Sequence, residues 1–166
     1  MKKLILITML LFSCLVYSQD FFPLVQENNK WNVLQVIFPG GNPSDTIYLT
    51  KTYNIIGDTT INDLVYKKVF ISEEEIPSNW EYEGAIREDE NKNVWFYPNI
   101  GMNEEKLIYD FSIQTGDTIN LSPNAFTIIV DSVTYKEING VNRKHFYLSY
   151  LEIQQTEVWI EGIGSS

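Results

Sequence analysis

Cysteine and histidine are nearly absent: Cys14 and His145 are the single examples of their types among 166 residues. One of each supports neither a disulfide framework nor a thiolate or Cys/His zinc set, and the HExxH and CxxC patterns are missing. Basic residues are few, 12 Lys and Arg against 22 Asp and Glu, for a formal charge of −10. A chain so acidic lacks the basic face that releases counterions from nucleic acid, which excludes that class of partner. Beyond residue 18 no apolar run approaches the ~20 residues of a membrane-spanning helix. No stretch there holds an apolar 3.6-residue period over three turns, so helix is expected to be scarce.

The apolar length the chain does have sits at its start. Lys2-Lys3 precede an apolar run interrupted only by Thr8 as far as Phe12, and Val16-Tyr17-Ser18 ends on a small residue. This is the order of a secretory signal peptide, read here as residues 1–18 with cleavage between Ser18 and Gln19, which leaves one β-rich domain over 19–166. A competing reading is lipid anchoring at Cys14, because Leu11-Phe12-Ser13-Cys14 resembles a lipobox. Bulky Phe12 and the apolar Leu15-Val16 after the cysteine speak for the first reading. Loss of Lys2 and Lys3 leaves ten basic residues against 22 acidic ones, a charge of −12. The acids are scattered in short groups such as Glu73-Glu74-Glu75 and Glu104-Glu105, as on solvated loops and strand edges.

The rest is long enough to bury a core, and its 14% aromatic residues and recurrent β-branched residues supply one. Short alternating runs predict about nine strands, at 30–38, 46–56, 64–72, 81–88, 93–97, 106–111, 125–135, 141–150 and 157–160, separated by turn residues. The expected fold is all-β, a mostly antiparallel meander closing as a sandwich or a rolled, barrel-like sheet. Asn139-Gly140 lies between two such runs and predicts a type I′ hairpin, whose central positions both need positive φ. Asp89, Asn91 and Asn93 have the spacing of a calcium loop, but Val94 and Ile100 stand where that loop needs Gly and Glu, so the segment reads as an ordinary strand connection. Ile61-Asn62-Asp63-Leu64 echoes Ile138-Asn139-Gly140-Val141. Gly57-Asp58-Thr59 echoes Gly116-Asp117-Thr118, and both of these triplets read as turns that start strands.

No catalytic constellation is recognisable. His145 falls in a predicted strand, and although Ser149 and Asp131 are formally available to it, no nucleophile elbow accompanies them. Carboxylate pairs for glycoside hydrolysis come together only in a fold, and no particular pair is favoured. No cofactor or metal is expected. Among the four tryptophans, Trp31, Trp80, Trp95 and Trp159, Trp95 lies inside a strand and Trp31 opens one, so core packing is the default for both. Trp80, in the turn-like Pro77-Ser78-Asn79-Trp80, is the candidate for an exposed glycan contact.

A family resemblance rests on Lys30-Trp31-Asn32-Val33-Leu34, Gly57-Asp58-Thr59-Thr60-Ile61-Asn62, Gly84-Ala85-Ile86-Arg87-Glu88-Asp89, Tyr109-Asp110-Phe111-Ser112 and Trp159-Ile160-Glu161-Gly162-Ile163-Gly164-Ser165. In this order they resemble the uncharacterised secreted proteins of Bacteroidetes, many of which carry a C-terminal sorting domain for the type IX secretion system. The resemblance covers almost the whole of 19–166. It implies export from a Gram-negative bacterium, to the periplasm, outer surface or medium, and no activity. Relatives of that kind usually continue beyond the position of Ser166 and the sorting domain is absent here, so the chain is expected to be a truncated form. Its final strand, 157–160, is then expected to leave an unpaired edge that favours self-association. Thr46, Thr59, Thr118 and Ser132, each preceded by Asp and followed by Ile, Thr or Val, resemble acceptor sites for the O-glycosylation of such exported proteins.

Two functions fit these features. The first is a non-catalytic β interaction module with an extracellular protein partner. The second is a module binding glycans or small ligands through exposed aromatics, with a hydrolase of unrecognised site ranking third.

Overall fold

Alternation of apolar and polar residues carries directly into the computed structural model, which describes residues 21–41, 43–101, 104–121 and 126–166. The leader, Cys14 and the Ser18/Gln19 boundary lie outside the described residues. Eleven strands are present among the described residues: β1 (Lys30–Ile37), β2 (Ile47–Ile61), β3 (Leu64–Ser72), β4 (Glu81–Glu88), β5 (Asn93–Pro98), β6 (Lys106–Asp110), β7 (Thr118–Ile119), β8 (Ile128–Ile138), β9 (Val141–Tyr150), β10 (Thr156–Ile160) and β11 (Gly164–Ser165). Among the described residues the only helical turns are single 3-10 turns at Pro39–Gly41 and Pro43–Asp45.

The strands form two curled antiparallel sheets, each a half-barrel. One has the order β1-β2-β3-β4-β5-β6 and the other β11-β10-β9-β8-β7, so every neighbour in space is a neighbour in sequence. The count exceeds the expected nine because β7 and β11 are two residues each, too short to show alternation. Gly57-Asp58-Thr59 does not begin a strand. Gly57 has φ of 73° and lies in a bulge within β2, where the register with β3 shifts between Ile55 and Asp58. A bulge admits an extra residue without ending the strand, and glycine supplies the backbone freedom it needs. The second triplet behaves as expected, with Thr118 opening β7. β8 runs on to Ile138, past the expected end at 135, because its pairs with β9 continue to the turn.

Asn139 and Gly140 both have positive φ, 51° and 79°, between the opposed residues Ile138 and Val141. Asn62 and Asp63 repeat this at 48° and 64° between Ile61 and Leu64, so the sequence echo reflects two hairpins closed by the same two-residue solution.

One core joins the sheets. Ile55, Val69, Ile86 and Val94 from the first meet Ile128, Val130, Phe146, Leu148 and Trp159 from the second, with Leu24 and Phe111 between. β10 pairs with β9 along its length but with β11 only at Trp159 and Ile160, whose side chains are both buried, so the expected open edge is confined to the start of the strand.

Residues 21–29 form a strap along the molecule. Leu24 enters the core, the Asn28 amide donates to the Ile55 carbonyl at 2.8 Å and the Ile55 amide to the Asn29 carbonyl at 3.0 Å. Phe22 lies so close to Gly162 that a methyl group added there would fall 2.7 Å from the Phe22 carbonyl oxygen.

Two substitutions test these assignments by chemical denaturation. Gly140→Val should destabilise the fold by about 1–2 kcal/mol, the cost of forcing a β-branched residue to positive φ. Gly84→Ala should cost more, since the added methyl would fall 2.5 Å from the Tyr97 carbonyl oxygen and 2.7 Å from the Phe96 ring.

Candidate functional site

The first hairpin overhangs its sheet. β1 pairs with β2 from Lys30↔Asn54 to Ile37↔Ile47, but β3 begins its pairing only at Thr52↔Ser72. Ile47 to Lys51 therefore have β1 on one side and no strand on the other. Along this overhang Leu34 is 61% exposed and Tyr48 65%, and Val33, Val36, Phe38 and Ile47 are exposed as well. Successive strand residues point to opposite faces, so both faces of the hairpin present apolar side chains. β1 is also the outermost strand of its sheet. Beside it lies a cavity of about 500 Å³, lined by Trp31, Val33, Ile108, Tyr109, Ile163 and Ser165 among others. Trp31 stacks on Tyr53 at 5.6 Å, and the Tyr109 hydroxyl accepts the Ser165 amide at 3.2 Å. Burial pushes the Tyr109 phenol pKa up.

A second constellation lies where β3, β4 and β5 adjoin. Arg87 and Trp95 oppose one another across β4 and β5, and the guanidinium lies 5.3 Å from the Trp95 ring and 5.6 Å from that of Tyr66. It makes a two-pronged contact with Glu105, Nε to Oε2 at 2.8 Å and Nη2 to Oε1 at 2.5 Å, while the Tyr66 hydroxyl donates to Glu105 at 2.5 Å. The Arg87 hydrogen bond holds the Glu105 carboxyl below its ordinary value. Asp89 accepts the amides of Asn91 and Asn93 and the Trp95 indole N–H. The calcium-like spacing is thus a loop organised by one carboxylate. Each charge here has its partner, the arrangement of a structural ion-pair network rather than of a poised acid or base.

Glu88 is different. Its Oε2 accepts the Val25 amide of the strap at 3.1 Å, while Oε1 is buried with no hydrogen-bond partner among the described residues. Burial raises its pKa, and the charges of Asp89 and Glu161 add to the effect. Glu161 is itself buried. Neither stood out in the sequence, although Glu88 shares its strand face with buried Ile86, a signal that alternation could have supplied.

The tryptophans do not form one platform. Trp159 is in the core, Trp31 on Tyr53 and Trp95 beneath Arg87. Trp80 is half-buried, with the Lys30 ammonium 5.7 Å from its ring centre. Glu74 fixes the loop leading to Trp80 by accepting the Ser78 and Asn79 amides at 2.7 and 2.9 Å. Of the hydroxyl residues with the glycosylation pattern, Thr118 is exposed, whereas Thr46, Thr59 and Ser132 are half-buried. His145 is buried, its Nδ1 3.2 Å from the Arg143 carbonyl oxygen. Ser149 donates to Asp131 at 2.5 Å, but it lies four residues along an extended strand from His145, about 13 Å away. The three are not brought together as a triad.

Comparison of the chain with protein-family models, with curated proteins and with solved structures finds no match in any of the three.

The Glu88 environment gives a signed pH dependence. Its folded-state pKa is raised, so this carboxyl contributes stability fully present below its unfolded value and lost as pH rises through the folded one. Glu88→Gln should therefore raise the melting temperature at pH 7, and calorimetry across pH should show the gain shrinking as pH falls through the raised folded value and absent below about pH 4, where Glu88 is protonated in both states. His145→Ala should lower stability and change no other measurable property.

Proposed function

We propose that this chain is a non-catalytic interaction module, exported by its leader, that takes an extended segment of a partner protein against β1. The observation that carries the reading is the contrast among the four sheet edges. β7 and β11 are two residues each, and β6 is short with Lys106 and Asp110 at its ends. Very short or charged edges resist pairing with foreign strands. β1 has neither protection: it is eight residues long, contains no proline, and carries its single charge at Lys30, the first residue.

An unpaired edge presents a row of N–H and C=O groups to an incoming strand, and side chains flanking that row select which strand fits. Val33 and Leu34 also line the apolar cavity beside β1, so an added strand would find contacts beyond the backbone. The fully partnered Arg87 network and the separation of His145 from Ser149 favour this reading over hydrolysis.

Extended peptides selected from a random display library against the protein supply the test. They should alternate apolar and polar residues and slow hydrogen exchange at β1 amides. The double substitution Leu34→Lys, Val36→Lys, at two exposed positions, should weaken them at least tenfold, about 1.4 kcal/mol, without lowering the melting temperature by more than a few degrees. Unchanged β1 exchange in the bound state, or full binding by the double variant, would rule the reading out.

A further inference from the structure

In a chain with this excess of acid, a place where several cations gather around one cavity is informative. Lys51 pairs with Glu73, Lys67 with Asp58 and Glu27, and Arg87 with Glu105 and Asp89. The other described cations make no ion pair, and three of them, Lys92, Arg143 and Lys144, lie close together. They meet at one end of the molecule, around a cavity of about 400 Å³ that the Asn139-Gly140 hairpin, the loop before β5 and the strap enclose. Its size falls within the range of small-molecule sites, about 300–1,000 Å³.

Phe22, Lys92, Tyr135, Asn142, Lys144 and Glu161 line this cavity. Arg143 stands behind the wall and fixes it: its guanidinium stacks on Phe22 at 4.5 Å and donates to the Glu161 carbonyl oxygen at 2.9 Å. Lys92 is oriented by the Phe21 ring, 4.6 Å from its ammonium. Two ammoniums and one carboxylate give the lining a formal charge of +1, and the Arg143 guanidinium behind it adds to the positive potential, so the cavity favours an anion.

We infer that this cavity binds a monocarboxylated sugar unit, such as a uronic acid residue of an extracellular glycan. Lys92 and Lys144 take the carboxylate by charge-assisted hydrogen bonds. Sugar hydroxyls donate hydrogen bonds to the Glu161 carboxylate, the Asn142 amide both donates and accepts, and Phe22 offers an apolar wall to the C–H face of the ring. The inference is independent of the β1 edge, with which this cavity shares no lining residue.

Calorimetric titration and amide chemical-shift mapping with glucuronate, glucose and inorganic phosphate decide it. Glucuronate should bind saturably, shift the amides of 140–144 and 161, and weaken as salt screens the charges. Glucose and phosphate should each bind at least tenfold more weakly. Lys144→Gln and Lys92→Asn, the latter chosen because asparagine tolerates the φ of 66° at position 92, should each weaken glucuronate at least fivefold and together reduce it to the level of glucose. The inference fails if glucuronate does not saturate, if glucose or phosphate binds as tightly, or if the folded double variant binds like the wild type.

Discussion

Two open, curled sheets share one interior only if something interlocks their inner faces, and here aromatic rings do so. Tyr109 from the last strand of the first sheet meets Trp159 of β10 edge-on at 5.1 Å and stacks on Phe111 at 5.5 Å, while Phe111 reaches Phe146 of β9 at 5.8 Å. Such pairs contribute about 0.5–1.5 kcal/mol each beyond the apolar area they remove from water. The contact lies where the chain passes from one sheet to the other, so it also fixes their relative placement. The apolar cavity beside β1, which Tyr109 and Ile163 help to line, is the space left beside this lock.

The strap completes what the rings begin. Its residues connect to both sheets, through Ile55 and Glu88 on one side and through Arg143 and Gly162 on the other. Glu27 adds contacts to the Gly57 amide and to Lys67. The half-buried carboxyl of Glu88 opposes folding when ionised, and the Val25 amide only partly offsets the loss of hydration. A polar group on the inner face is thus exchanged for a fixed course of the strap, and that course closes the wall of the cationic cavity through Phe22.

Alternation and turn chemistry made much of this fold legible. β3, β4 and β9 begin and end where the pattern predicts, because Asn62-Asp63 and Asn139-Gly140 set two of the hairpins and each strand keeps its period of two. The failures have physical causes. A two-residue strand has no period to read, and a glycine inside a bulge has the same local chemistry as a glycine in a turn, which is why β2 was expected to stop before Gly57. The functional surfaces were less legible because they depend on relation rather than composition. That β1 is unprotected follows from where β3 starts and how short the other edges are, which no local window contains. Trp80 stood out by its turn, but the Lys30 ammonium 5.7 Å from its ring centre comes from a strand far off in sequence. Lys92, Phe22 and Lys144 are far apart in sequence and become neighbours only through the strap and the hairpin.

The register between β1 and β2 has a mechanical consequence. All eight residues of β1 are paired with β2 in one uninterrupted antiparallel ladder, and β2 continues past the overhang into its ladder with β3. Tension applied to β1 along its own axis loads the cross-strand hydrogen bonds in shear, so that they must yield together, whereas a pull at right angles would peel them one at a time. A load taken up at the overhang passes down β2 to the Gly57 bulge and the strap that grips it. The hairpin is thus built as a tension member, stiff along its length and weak to peeling from its tip.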